Sequence, residues 1–363
     1  MALFKTRGVE IAGVTCAVPD NFIPASHFAE RFGQDAVDRF VEGTGIHSIY
    51  NALPEQTAGD LACAAAEELF RRVPVEREKI GVMVLVTQSP DYRRPSTACV
   101  LQKRLRLPLD CACVEVALGC SGFVYGFQSA GSLLMNSDSE YALLLIGETA
   151  SKLVNPMDKS IAMMYGDAGA AILLQKSGDR ETTTILKSDG YRYKAIVLPA
   201  GGFRDMNPSH ERFLCSDGNE RTLYDIFMDG TSVFSFTISD VPQTIKAYYE
   251  ATGTTAEDYD TILLHQANYY ILKQVAKRIR ATMEKIPVSL DRFGNTGAIS
   301  IPLTLCDAYP EKSPGRTIRA LMSGFGIGLS WGVTSAYIDT SKVFPIIKTS
   351  DFYAEGKFVP GDY

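Results

Sequence analysis

The chain has 363 residues, of which 46% are hydrophobic and 21% charged, with a formal net charge of −6. This composition fits a globular protein long enough for two domains or one large duplicated unit, and it excludes a disordered chain. The acidic balance gives no general attraction to nucleic acid, and no apolar run of about 18 residues predicts a membrane span.

The N-terminus, Met1 to Val14, carries Lys5 and Arg7, but Glu10 breaks its apolar run, so it does not read as a signal peptide. Ala58 to Arg72, capped by Thr57, reads as an Ala-rich helix. Ile80 to Thr87 (IGVMVLVT) is a continuous apolar run of the buried-strand kind, and Ser96 to Leu105 is helical. Val114 to Gly122 predicts a buried strand ending on Cys120 between two small residues, followed by a helix from Phe123 to Met135. Ala142 to Gly147 and Ala168 to Leu174 are two further buried strands. Residues 175–225, rich in charge and turns, suit a connector. Strands and helices alternate throughout, which predicts an α/β fold.

The second half repeats this plan. The strand Tyr259 to Leu264 and its helix through Arg280 parallel the run that starts at Lys79. Val288 to Leu290, a Gly-Asn-Thr-Gly turn and a helix through Ala308 parallel the segment around Cys120. Thr317 to Met322 then ends in a Gly-rich loop, as Ala142 to Ile146 ends at Gly147. Residues 341–363 read as an irregular extension.

Three positions can carry chemistry. A thiol at a strand-to-helix turn sits at a helix N-terminus, where backbone N–H groups and the dipole favour thiolate. Cys120 could equally be one more buried cysteine among the eight in the chain. His265 follows the carboxyl end of a buried strand, where α/β folds place functional groups, and Asn295 sits in the turn after the next strand. Either could be structural when taken alone; their equivalent placement in two facing half-repeats raises all three. No Cys-x-x-Cys pair or zinc spacing is present, and eight cysteines in this context fit a reduced, cytoplasmic protein.

The Cys120 elbow, Tyr165-Gly-Asp-Ala-Gly-Ala170, Met228-Asp-Gly230 with Val233-Phe234, His265-Gln-Ala-Asn268, Gly294-Asn-Thr296 and Gly324 to Gly332 occur in one order. In these motifs the sequence resembles the β-ketoacyl-ACP synthase III group of the thiolase superfamily, over nearly the whole chain. The resemblance implies a thiolase-like α/β fold, two pseudo-repeated halves in a five-layered αβαβα core. Residues 1–175 would be the half with the nucleophile, 176–340 the half with His and Asn, and 341–363 a C-terminal extension.

The resemblance further implies a Cys120–His265–Asn295 triad. Cys120 would take an acyl group from acyl-CoA or an acyl carrier protein, with the oxyanion held by the backbone N–H groups of Cys120 and Ile327. A malonyl-type thioester would then lose CO2, and its enolate, held by His265 and Asn295, would attack the acyl-Cys to give a β-ketoacyl product. No metal or other cofactor is called for. Asn268 matches a residue that holds the pantetheine arm, and Asp167 stands in a motif that could be purely structural. A homodimer continuing the sheet across its two-fold axis is expected.

Departures from the family pattern fall on substrate recognition. Tyr270 replaces an Arg that meets the carrier protein, Lys159 replaces a CoA-contacting Arg, and Arg39 and Gly43 fall where a Trp and an Arg line the CoA mouth. Arg93-Arg94 stands before Pro95, in the loop that crosses to the partner. Arg94 could be solvated or paired at the interface, or could meet a polar acyl group, since Arg suits bidentate carboxylate and phosphate contacts. These departures point to specialised lipid or secondary metabolism. The alternatives are an acyltransferase that passes the acyl group to a hydroxyl or amine without decarboxylation, and a non-catalytic partner subunit.

Overall fold

In the computed structural model, which describes residues 2–309, 315–359 and 361, nine strands join into one mixed sheet. The first strand, β1 (Ala2–Pro19), is followed by helix α1 (Ala58–Arg72), strand β2 (Ile80–Val86), helix α2 (Thr97–Arg104), strand β3 (Ala112–Val116), helix α3 (Gly122–Met135) and strand β4 (Tyr141–Glu148). Strand β5 (Ala168–Ser188) closes the first half. The second half comprises helix α4 (Gly230–Thr252), strand β6 (Thr261–Leu264), helix α5 (Tyr269–Ile279), helix α6 (Ser300–Ala308) and strands β7 (Thr317–Gly326) and β8 (Ser330–Asp339). A last short strand, β9 (Ile347–Thr349), lies parallel to β1.

The continuous apolar runs become strands with both faces covered. In β2, Val82, Val84 and Val86 enter a central cluster with Phe123, Phe127, Leu263, Ile318 and Met322. Met83 and Leu85, pointing the other way, join Ala62, Ala65 and Leu69 of α1. A third cluster joins Leu264, Leu321 and Val333 to Phe236, Ile245, Leu272 and Val275 of α4 and α5. Helices α3 and α6 thus lie between two sheet regions whose outer faces carry α1 with α2 and α4 with α5, which is the expected five-layered order.

Helix α1 starts where the sequence places it. The Thr57 hydroxyl accepts from the Asp60 N–H at 3.2 Å, and the Asp60 carboxylate accepts from the Thr57 N–H at 2.8 Å. Its Ala-rich face lets the helix backbone come onto the sheet: a Cβ on Gly169 would lie 2.2 Å from the Leu61 carbonyl carbon. Only glycine fits there.

Four expectations change. Strand β3 stops at Val116, four residues before Cys120, and is the sheet's edge, with Val114 38% exposed where a buried strand was expected. Strand β5 runs 14 residues beyond Leu174 into the segment read as a connector. Its first part pairs with β4 from Tyr141–Gln175 to Glu148–Ala168, and its last part pairs with β8 from Ser330–Ser188 to Thr334–Thr184. Val288 to Leu290 forms no strand. Buried Ser289 bonds Thr304 through its hydroxyl at 2.6 Å and precedes a single helical turn, Leu290–Phe293. Finally, the extension is not wholly irregular. Beyond β9, the Tyr353 N–H donates to Asp60 at 3.0 Å and the Tyr92 hydroxyl donates to the Gly356 carbonyl at 2.5 Å.

Candidate active site

The turn carrying Cys120 follows the edge strand. Gly122 N–H closes back onto the Gly119 carbonyl at 2.6 Å, and the buried Ser121 hydroxyl bonds that of Ser330 at 2.7 Å, tying the turn to β8. Opposite lies the Gly-rich loop after β7. A Cβ on Gly326 would sit 2.7 Å from the Cys120 Cβ and 3.0 Å from its Sγ, so this approach requires glycine.

The Cys120 sulfur accepts from its own N–H and from the Ile327 N–H, and both contacts favour thiolate. Burial outweighs them. The thiol is pushed up to about 11, helped by the nearby Glu148 charge, so the resting group is a thiol and not the thiolate expected from the helix N-terminus alone.

His265 stands just past β6 and is 2% exposed. Its backbone N–H donates to the Ser323 carbonyl at 2.9 Å, and its ring meets Phe325 edge-on at 5.4 Å. Nδ1 lies 3.2 Å from the Gly297 carbonyl, which can only accept, and 2.9 Å from the Ser300 hydroxyl, which can donate or accept. The pair therefore suits either neutral tautomer. Burial holds the imidazole down to about 4, against the opposing pull of the Gly297 carbonyl, so it is neutral at pH 7.

Asn295 is placed by the first half. Its N–H donates to the Met164 carbonyl at 2.8 Å, and its carbonyl accepts from Gly166 at 3.2 Å. Its side-chain oxygen accepts from the Gly297 N–H at 3.0 Å, which leaves the NH2 as the end available to a ligand. Cys120, His265 and Asn295 line one cavity of about 140 Å³, together with Asn268, Phe325 and Gly326 and an apolar wall that includes Met228, Val233 and Phe234.

Asn268 lines this cavity while capping α5 through its side-chain oxygen, 2.8 Å from the Ile271 N–H. Arg94 and Lys159 lie outside the cavity lining and are exposed. The Arg94 guanidinium lies 5.9 Å from the Phe203 ring centre, as does that of Arg93, which also donates to the Gly201 carbonyl at 2.5 Å. Tyr270 is half exposed and stacks at 5.7 Å on Phe234, which does line the cavity. Asp167 is buried and accepts from the Ala52 N–H at 2.7 Å and the Ser151 N–H at 3.0 Å, a structural tie between two loops.

Sequence reasoning missed two groups. Ser300 is a buried helical hydroxyl that nothing in the sequence distinguishes from other serines. Glu148 left a signal, an acid closing the apolar run ALLLIG, and it is buried behind the site.

Models of 3-oxoacyl-(acyl-carrier-protein) synthase III match residues 114–191, and models of its C-terminal region match residues 249–338. The β-ketoacyl-(acyl-carrier-protein) synthase III of Caldanaerobacter subterraneus subsp. tengcongensis is 34% identical over 301 residues, 82% of this chain and 88% of that protein. The Clostridioides difficile protein of the same name is 31% identical over 89% of this chain and 96% of its own. Among solved structures, the 3-oxoacyl-(acyl-carrier protein) synthase of Burkholderia xenovorans superposes with a TM-score of 0.88 at 32% identity, covering 96% of this chain and 99% of that one. The chain belongs to the 3-oxoacyl-(acyl-carrier-protein) synthase III family of acyl-transferring condensing enzymes.

Proposed function

We propose that this protein carries an acyl group on Cys120 and condenses it with a malonyl thioester. The observation that carries this reading is the position of the Cys120 sulfur, under two backbone N–H groups and in one cavity with His265 and Asn295.

The resting pair, a thiol and a neutral imidazole, sets the first step. With Nδ1–H directed to the Gly297 carbonyl, Nε2 takes the Cys120 proton as sulfur attacks the acyl thioester. The N–H groups of Cys120 and Ile327 hold the oxyanion; removing one such donor typically costs roughly 10²–10³ in rate. The leaving thiolate, from CoA or a carrier, receives the proton from His265.

A malonyl thioester then enters. The Asn295 NH2 and the His265 Nε2–H, in the tautomer that the Ser300 hydroxyl supports by donating to Nδ1, hold its thioester oxygen as CO2 leaves and an enolate forms. The enolate carbon attacks the acyl-Cys carbonyl, a C–C bond forms, and the Cys120 thiolate departs and is reprotonated. Asn268 would hold the pantetheine arm at the mouth.

The chain works as a homodimer in this reading. Strand β3 ends the sheet with Val114 exposed, and among the described residues no strand covers its outer side. The Arg93–Arg94 loop would then stand near the partner, with Arg94 and Lys159 serving polar parts of the substrates. Residues 1–175 supply the nucleophile, 176–340 supply His265 and Asn295, and 341–363 brace the first half. The changed positions at Arg39, Gly43, Lys159 and Tyr270 favour a specialised lipid or secondary-metabolite product. Among the described residues no helix is long and apolar enough to cross a membrane, and the eight cysteines are free, in keeping with a cytoplasmic site of action.

The test is intact-protein mass spectrometry after incubation with acetyl-, medium-chain and dicarboxylic acyl-CoAs, followed by malonyl thioester with CO2 detection. An acyl adduct absent from Cys120→Ala, discharged with CO2 release, is expected. Discharge to an alcohol or amine without CO2 would replace condensation by simple transfer.

A further inference from the structure

The mechanism above leaves one buried ionisable group beside the site unused. Glu148 ends β4 and is 5% exposed. One carboxyl oxygen accepts from the Gln88 N–H at 2.7 Å and the other from the Ser89 hydroxyl at 3.0 Å; the Ser89 oxygen in turn accepts from the Thr149 N–H at 2.9 Å. Both oxygens thus receive donors, the pattern that suits a carboxylate.

The residues Glu148 holds are the residues that shape the elbow. The Gln88 side-chain oxygen crowds Gly119 so closely that a Cβ there would lie 2.3 Å from it, and the same Cβ would lie 2.7 Å from Ile327. On its other side Glu148 backs onto Gly297, whose absent Cβ would be 3.6 Å from the Glu148 Cγ and whose carbonyl meets His265. A single side chain therefore supports the turn bearing the nucleophile and the turn bearing the base's partner.

We propose that Glu148 is a positioning residue of the condensation site: it pins the Gln88–Ser89 turn against Gly119 and, where it is ionised, its negative charge resists formation of the Cys120 thiolate. The proposal rests on Cys120 being the nucleophile. The ionisable groups facing that thiol are Glu148, Tyr165 and His265, and those facing Glu148 are Cys120 and Asp167. Burial, with Asp167 adding to it, pushes the Glu148 carboxyl up to about 8, so the group carries its charge throughout the range in which a thiol near 11 titrates. At neutral pH burial is what keeps the sulfur a thiol, and above about 8 the Glu148 charge adds to it.

The test is alkylation of the intact enzyme with iodoacetamide at a series of pH values, read as modification of the peptide that contains Cys120. It needs no acyl donor, so it stands apart from the acylation experiment. Glu148→Gln and Glu148→Met, each first checked for a cooperative melt, remove the charge. They are expected to move the midpoint toward acid by about one unit, and so to raise the rate by about tenfold at a fixed pH below the midpoint but above 8, where the parent's Glu148 is ionised. Glu148→Asp keeps the charge and should leave the midpoint close to the parent's. A folded neutral variant with an unmoved midpoint overturns the proposal, and so does an acid shift of equal size in Glu148→Asp, which would trace the effect to packing alone.

Discussion

The two halves of the molecule follow one plan and finish it differently. The first half has strand order β3–β2–β4–β5–β1, ending on an open edge, and its third strand leads into the nucleophile. The second half has β6–β7–β8 and then the far end of β5, and among the described residues no strand matches β3. In its place, residues 289–297 make a helical turn and a loop, and Asn295 forms a single bridge with Tyr165 of the first half. The difference teaches where each half spends its backbone hydrogen bonds. The first leaves them free at β3, where another chain could add to the sheet; the second uses them inside the molecule to fix an amide beside the cysteine.

The largest way to sharpen this contrast is Asn295→Ala. It removes the enolate donor proposed for the second half, so CO2 release from malonyl thioester should fall roughly 10²–10³-fold while the acyl adduct on Cys120 still forms. Equal loss in both steps, measured by single-turnover mass spectrometry, would break the division of labour. The next effect is on stability. His265 is held neutral in the fold to about 4, well below an ordinary histidine near 6.5, so the unfolded chain binds a proton first as pH falls. The His265 contribution is full above pH 6.5 and is lost between there and about 4, by up to about 3 kcal/mol. His265→Gln should flatten that acid limb in thermal melts recorded across the window. In the cysteine half burial pushes the Glu148 carboxyl up to about 8 and that of Asp167 up to about 6, so there the folded chain binds the proton first and the contribution has the opposite sign.

A third change probes the open edge. Val114→Lys puts a charge on the exposed face of β3 and should dissociate a dimer by at least tenfold in concentration midpoint, read by analytical ultracentrifugation. An unaltered association would move the interface elsewhere. The smallest expected effect comes from Ser300→Ala, which leaves the Gly297 carbonyl as the partner of Nδ1. Only the tautomer with Nδ1–H is then supported, and condensation should slow by about fivefold relative to acylation, in line with one lost hydrogen bond.

Much of this was legible in the residues. Apolar runs such as Ile80 to Val86 declare buried strands because they are covered on both faces, and the small residues around Cys120 and at Gly324 to Gly328 mark close backbone approach. The sequence did not disclose that β5 resumes at Glu181, since charged residues and Gly178 interrupt the apolar pattern over 177–180, where the pairing with β1 also skips from Lys176 to Glu181. Val288 to Leu290 misled for the opposite reason: it has strand-forming residues, but Ser289 is satisfied by Thr304 and by the Gln266 side chain, 3.1 Å from its N–H, so no ladder forms. The state of the cysteine was also hidden. A helix N-terminus is visible in sequence, but the enclosure that outweighs it is assembled from segments 200 residues apart.

Strand β5 has a mechanical consequence. Its 21 residues join the two sheet regions, that of Cys120 at one end and that of His265 at the other, with an irregularity at residues 177–180 between them. Strand β1 pairs with β5 on both sides of that irregularity, from Gly169 to Lys176 and from Glu181 to Leu186, so a second strand spans the gap and ties the two regions together. Passage of substrates then falls to side chains at the mouth, such as the Phe234 and Tyr270 rings.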